Sequence, residues 1–298
     1  MRVVIIVNSE AGSASGFDAQ AVISAGHDAG AQVSVQMVPG AALAERAREL
    51  ATSPEVDVVV AAGGDGTVNS VAGAVCEAGG LLGVIPLGTL NHFAKDLGMP
   101  LDPSEAITAI ANSQERHIDL AFINSRVVLN NCSFGAYPEA VRQRDLIQRR
   151  GGLGKWPAMT AASWRTFRRM RVYDLRLDID GQHVVVEALA VLIGNNRYDI
   201  ANIPPGGRVR LDGGELGVYV ISETRHFAYV RVVTRLLMGR LLSERNVDCR
   251  VAKRVELEAV GSGEIPVAID GEPVELAAPL IVETKPGALR VMAPAQQI

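Results

Sequence analysis

Residues 57–69 read DVVVAAGGDGTVN, and few local patterns restrict a fold as strongly. Val58, Val59 and Val60 are β-branched residues in an apolar run that ends at glycine. That is the pattern of a strand buried on both faces of a parallel sheet. Gly63-Gly64-Asp65-Gly66-Thr67 follows, and a helix is predicted over 68–78. Glycines let the backbone turn sharply and bring its N–H groups close to a ligand, and a helix start adds positive potential, so the unit suits a phosphate. A carboxylate in the same loop repels a bare phosphate, so Asp65 fits best with Mg2+ or a nucleophilic hydroxyl between them. The plainer reading is a tight strand-to-helix turn with Asp65 as the helix cap. A Walker loop is excluded, because Gly154-Lys155 precedes Trp156 rather than Ser or Thr, and a dinucleotide fingerprint opening at Gly64 would need glycine where Asn69 stands.

The flanking sequence supplies the rest of such a fold. Strands are predicted over 2–7, 33–38, 81–86 and 117–123, with helices over 41–51, from His92 through Leu97, and from Pro103 behind the cap Asp102. Alternating strands and helices imply a doubly wound parallel sheet, whose strand carboxyl ends gather the loops at Asn8, Gly63 and Gly88. After about residue 125 the texture changes. Residues 175–179 alternate apolar and polar, Asp180-Gly181 signals a hairpin, and 184–193 run back as one strand. Further strands are predicted over 218–222, 255–260 and 266–269, with one helix over 225–242. The expected organisation is an α/β nucleotide-binding domain over 1–125 and a largely antiparallel, β-rich substrate domain over 126–298, with the site in the crevice between them.

At 298 residues and 48% hydrophobic content the chain can bury a full core. A net charge of −4 gives no global case for nucleic acid. Three cysteines without a Cys-x-x-Cys pair suggest a reducing compartment and no zinc site. The start MRVVIIVN is too short an apolar run for a signal peptide or a membrane span, and reads as a first strand in the cytoplasm. The charge is uneven: residues 142–171 hold nine Lys or Arg against Asp145, a charge of +8 that leaves −12 on the remainder. The same stretch holds both tryptophans, Trp156 and Trp164. Basic residues interleaved with large apolar ones suit an anionic membrane surface, and equally a solvated basic helix face packed on a core.

Three segments together carry a family resemblance. Gly63-Gly64-Asp65-Gly66-Thr67, then Pro86-Leu87-Gly88-Thr89-Leu90-Asn91-His92-Phe93-Ala94, then Asp270-Gly271-Glu272, in that order and spacing, resemble the diacylglycerol kinase catalytic-domain family. That family includes bacterial lipid kinases and sphingosine kinases and is distantly related to NAD kinases. The resemblance spans nearly the whole chain. It implies ATP-dependent phosphorylation of a lipid hydroxyl, with ATP as co-substrate and Mg2+ as cofactor. Carried over residue by residue, it implies that Asn8, Ser9 and Gly12 form a first nucleotide loop. Gly63, Gly64, Gly66, Thr67 and Asn69 then form the phosphate loop with Asp65, and Thr89 and Asn91 a second loop. Asp270 and Glu272 match the acidic pair near the acceptor, Glu272 being the usual proton acceptor. For Thr89 and Asn91 the plainer role is capping of the following helix, and for Asp270-Gly271 it is a hairpin turn.

Three departures accompany the resemblance. Where many members have Thr before Pro-Gly-His, this chain reads Gln36-Met37-Val38-Pro39-Gly40-Ala41. The second loop ends Asn91-His92 rather than Asn-Asp, and Asp212-Gly213-Gly214-Glu215 stands where bacterial members often carry Asp-Asp-Gly at a regulatory metal site. Asp65 and Asp212 are the expected metal ligands. The expected partners are ATP, a membrane lipid substrate and, through 142–171, the inner face of a membrane. Nucleic acid is not expected, and a homodimer is left open. The rival readings are an NAD kinase-like enzyme and a non-catalytic nucleotide-binding sensor.

Overall fold

Val58–Gly63 is buried at every position because its strand, β3, is flanked on both sides and covered on both faces. The structure, a computed structural model, describes residues 1–135, 172–198, 207–222, 247–261 and 265–294. The basic stretch 142–171 and the helix expected over 225–242 lie outside the described residues. Contacts divide the chain into two units, Met1–Leu120 with Lys285–Ile298, and Ala121–Thr284.

The first unit alternates strand and helix as the sequence predicts. Its strands are β1 (Arg2–Asn8), β2 (Gln32–Val38), β3 (Val58–Gly63), β4 (Leu81–Pro86) and the start of β5 (Gln114–Ile123). Its helices are α1 (Ala19–Asp28), α2 (Leu43–Thr52), α3 (Asp65–Glu77), α4 (His92–Asp96) and α5 (Pro103–Asn112). The sheet order is β2-β1-β3-β4, every pair parallel, and the end of the last strand, β16 (Leu280–Ala293), joins β4 in parallel through Arg290 and Val291. From β1 the chain goes first to β2 on one side and then to β3 on the other, so the order reverses between β1 and β3. Ligands of open parallel sheets bind beside the carboxyl ends of the strands at such a reversal, here next to Asn8 and Gly63. Helices α2 and α3 pack together, as do α1 and α5. Asp102 caps α5 as expected, accepting from the N–H groups of Ser104 and Glu105.

Two expectations in this unit change. Helix α3 begins at Asp65, not at Val68, so Asp65-Gly66-Thr67 is its first turn and Gly64 its N-cap. Helix α1 was not predicted; its sign in the sequence is Asp18, whose carboxylate accepts from the Ala21 N–H.

The second unit is antiparallel. One sheet runs β12 (Val247–Ala252), β11 (Leu216–Ile221), β10 (Ala190–Asn195), β7 (Asn131–Gly135), β14 (Val267–Ile269) and β15 (Glu272–Val274). The other strands are β8 (Tyr173–Ile179), β9 (Gln182–Ala188), β13 (Arg254–Ala259) and the start of β16, with β6 (Arg126–Val128) paired to the end of β5. Inward alternation supplies the core of Phe134, Leu175, Leu177, Val191, Ile193, Val218, Val255 and Leu257, all buried. The run 184–193 is two strands rather than one: it breaks at Leu189, whose N–H donates to the Ile221 carbonyl, and its halves pair with different partners. The sequence places a division near Ser125; the chain passes into the second unit within β5, after Leu120, and returns within β16, at Lys285.

Candidate active site

Helix α3 leaves β3 with almost no connecting loop, and glycine makes that turn possible. A Cβ on Gly63 would lie 2.5–2.8 Å from the side-chain atoms of Thr67, which is buried against it. Thr67 therefore packs the turn from below. The first helical bond runs from the Val68 N–H to the Gly64 carbonyl, which leaves the N–H groups of Asp65, Gly66 and Thr67 without acceptors in their own helix. Donors on a short glycine turn, with the positive end of a 13-residue helix behind them, form an anion cradle. Gly63→Ala should overpack this turn and destabilise the protein by about 1–3 kcal/mol, read as a lowered midpoint in urea.

The Gly88–Asn91 loop locks onto the Gly63 turn. The Leu87 N–H donates to the Gly63 carbonyl at 2.9 Å, and a Cβ on Gly88 would meet the Gly64 Cα at 2.7 Å. Asn91 is left-handed (φ 51°) and clips the Gly88 backbone on both sides of its Cα: its Oδ1 accepts from the Gly88 N–H at 2.9 Å and its Nδ2 donates to the Gly88 carbonyl at 2.8 Å. Its amide thus shapes the loop, while Thr89 and Leu90 stand exposed at the tip. Asp65 makes the bridge. Its Oδ1 accepts from the His92 N–H at 3.0 Å, so the carboxylate caps α4 rather than its own helix. Among the described residues its Oδ2 has no recorded hydrogen bond. Asn69 is half-buried on the first turns of α3.

The loop after β1, expected to be the first nucleotide loop, is held by side-chain and backbone bonds. Asn8 Oδ1 accepts from the Glu10 N–H at 3.0 Å, the Ser9 N–H donates to the Val38 carbonyl, and Glu10 Oε2 accepts from the Gly40 N–H at 2.9 Å. Glu10, which the sequence did not single out, thus ties this loop to the Pro39-Gly40 turn where the usual threonine is missing. Ser9 and Gly12 are exposed.

Asp270 and Glu272 lie in the second unit on the turn between β14 and β15, and they differ sharply. Asp270 (φ 48°) and Gly271 (φ 83°) make the left-handed pair of a tight hairpin, with Ile269 opposite Glu272. The Asp270 carboxylate folds back under the segment before β7: Oδ2 accepts from the Leu129 N–H at 2.9 Å, and Oδ1 from the N–H groups of Asn130 and Asn131 at 2.7 and 2.9 Å. Burial pushes its carboxyl up from the ordinary range, against the pull of those three donors and of Arg208. Glu272 is exposed and has no recorded hydrogen bond or ion pair among the described residues.

The structure treats the two expected metal ligands differently. Mg2+ is held through one or two carboxylates plus substrate phosphates, so a half-exposed Asp65 beside an anion cradle fits an ion that arrives with a nucleotide. Asp212 stands beside a guanidinium instead. Its Oδ1 accepts from Arg210 Nε at 2.8 Å, and the Gly213 N–H donates to Asn196 Oδ1. A Cβ at Gly213 would lie 2.6 Å from that oxygen, so a side chain there would have to displace the Asn196 amide. A guanidinium already neutralises this loop, and no cluster of three ligating side chains occurs among the described residues. The role of Asp212 as a metal ligand rests on the resemblance alone.

Comparison with known proteins agrees over the full length. Residues 2–123 match the diacylglycerol kinase catalytic domain, and residues 132–293 the YegS C-terminal NAD kinase beta sandwich-like domain. The chain is 30% identical over 301 residues to a protein of Pseudomonas aeruginosa (strain UCBPP-PA14) named "Probable lipid kinase YegS-like", covering 99% of this chain and 95% of that one. It is 26% identical over 233 residues to a diacylglycerol kinase of Staphylococcus haemolyticus, covering 75% and 67%. Two crystal structures from Bacillus anthracis str. Sterne share the fold, with TM-scores of 0.75 and 0.68 at 24% and 20% identity; each alignment covers 98% of this chain, and 95% and 96% of theirs.

Proposed function

Because the chain belongs to the diacylglycerol kinase catalytic-domain family, and is a kinase by that membership, we propose that it transfers the γ-phosphoryl group of ATP to the hydroxyl of a membrane lipid. The observation that carries this reading is the Asp65 bridge. One carboxylate joins the glycine turn, which also fits NAD kinases, to the Gly88–Asn91 loop, whose pairing with it resembles lipid kinases alone. Phosphoryl transfer needs charge neutralisation, positioning and a group to take the hydroxyl proton. The donors of Asp65, Gly66 and Thr67 suit the phosphates, and Asp65 is the residue to hold a nucleotide-borne Mg2+, which would neutralise charge on the transferred group. Glu272 is assigned as the proton acceptor, since both Asp270 oxygens are occupied by backbone donors and Asp270 thereby anchors the hairpin.

Membrane contact is assigned to 142–171 on its charge and its interleaved large apolar residues, at the cytoplasmic face. Among the described residues no helix is long and apolar enough to cross a membrane. Incubation with γ-labelled ATP, a mixed lipid extract and NAD should put label into a lipid product that mass spectrometry identifies. Label in NADP would favour the NAD kinase-like rival, and nucleotide binding without transfer the sensor. Trp156 and Trp164, the chain's two tryptophans, should show blue-shifted fluorescence on adding anionic vesicles and lose the shift in high salt. An unchanged spectrum in sedimented, vesicle-bound protein would remove 142–171 from the membrane.

A further inference from the structure

Arg208 is a guanidinium buried to 7% exposure inside the second unit, and no sequence motif accounts for it. Backbone pairing fixes it there: Arg208 bridges to Tyr198, and the Val209 N–H donates to the Arg197 carbonyl. Its Nη1 donates to the Leu129 carbonyl at 2.8 Å and to the Asn195 carbonyl at 3.3 Å, and its Nη2 to Asn130 Oδ1 at 3.3 Å. The Leu129 carbonyl and the Asn130 N–H belong to one peptide group. That N–H donates to Asp270 Oδ1 at 2.7 Å, so a buried cation grips one end of the peptide and a desolvated anion the other. Polarising a peptide from both ends strengthens each hydrogen bond, and either charge left alone in such a place is costly. Asn195 Nδ2 also donates to the Leu129 carbonyl, and the Asn195 N–H and Tyr198 hydroxyl both donate to the Asn130 carbonyl, so the segment has few other ways to sit.

We propose that Arg208 is a positioning residue for the acidic hairpin: acting through the Leu129–Asn130 peptide, it fixes Asp270 and so the direction in which Glu272 meets the acceptor hydroxyl. This rests on the assignment of Glu272 as proton acceptor. The guanidinium touches no reacting atom. Its effect is geometric, and a displacement of about 1 Å at a reacting group can cost about 10²-fold in rate.

The test is a set of four proteins assayed for turnover, KM for ATP and thermal melting: wild type, Arg208→Gln, Glu272→Gln and the double variant. Arg208→Gln should lower kcat by about 10²-fold at a temperature where it is folded, with KM for ATP unchanged. Arg208→Lys, which keeps the charge without the fork, should fall between. In the Glu272→Gln background the same change should cost less than about twofold, because the group it positions is already gone. A purely structural arginine would lower turnover by the same factor in both backgrounds, and that result overturns the inference while leaving Glu272 in place. Wild-type turnover in Glu272→Gln alone overturns the acceptor assignment and this inference with it. Should Arg208→Gln fail to fold, Asn130→Ala, which removes the Nη2 contact, takes its place in the same four-protein comparison.

Discussion

Asp65→Asn is expected to cut lipid phosphorylation by about 10³-fold in a protein that folds and melts like wild type. The two halves of that expectation come from the two oxygens of one side chain. Oδ1 accepts the His92 N–H and holds the Gly88–Asn91 loop against the Gly63 turn; asparagine keeps an oxygen for that bond, so the packing of Gly64 on Gly88 should survive. What asparagine lacks is the negative charge, which a Mg2+–nucleotide complex would use and which nothing else on the first turn of α3 supplies. The loss should be accompanied by a higher Mg2+ requirement for the residual activity. Asp65→Ala removes both functions and should lower the melting temperature as well. Full turnover in folded Asp65→Asn would leave the carboxylate with its capping role alone.

Glu272→Gln should lower turnover by about 10²–10⁴-fold, the usual worth of a general base, with KM for ATP little changed. The neighbouring Asp270→Asn serves as its contrast. An amide at position 270 must turn its NH2 toward one of the three backbone donors that now point at the carboxylate, and leaving such a group unsatisfied costs about 1–3 kcal/mol. Asp270→Asn should therefore show first in the melting curve, and Glu272→Gln in kcat alone. Stopped turnover in Asp270→Asn at wild-type stability, with an active Glu272→Gln, would reverse the two roles.

Much of this was legible in the chain, and the limits have physical causes. Buried parallel strands announce themselves as apolar runs, so β1, β3 and β4 and the loops behind them could be read directly, and Asp102 marked α5. Helix α1 hid because AQAVISAGHD carries the helix-weakening Gly26, kept small because a Cβ there would meet the Val33 Cγ2 at 2.4 Å. Strand β16 hid behind Pro286-Gly287 in its middle, which reads as a turn until its ends are seen to pair with β13 and with β4. The hairpin at Asp270-Gly271 was visible as a turn. Its clamp was not, because it joins residues 139–141 positions apart, as Arg208 joins Leu129 across 79. Local pattern says which residues can turn or pack, and side-chain partners at such separations follow only from the assembled sheet.

The return of β16 to the first unit sets an order of events during synthesis. Strand β4 waits for Arg290 and Val291, and the same end of the chain brings the Arg290 fork onto Glu115 (2.7 and 2.8 Å), the Gly287 N–H onto Asp119 and the Ala288 carbonyl onto the Cys76 thiol. All of Ala121–Thr284 must leave the ribosome before those contacts can form, a delay on the order of ten to thirty seconds at ordinary rates of translation. Through that interval β4 is an open edge beside a nearly finished first unit, the kind of surface on which nascent chains pair wrongly and which chaperones cover. The first unit is therefore completed by the last strand of the chain, and stopping synthesis before Lys285 should yield a first unit prone to aggregate rather than a working half.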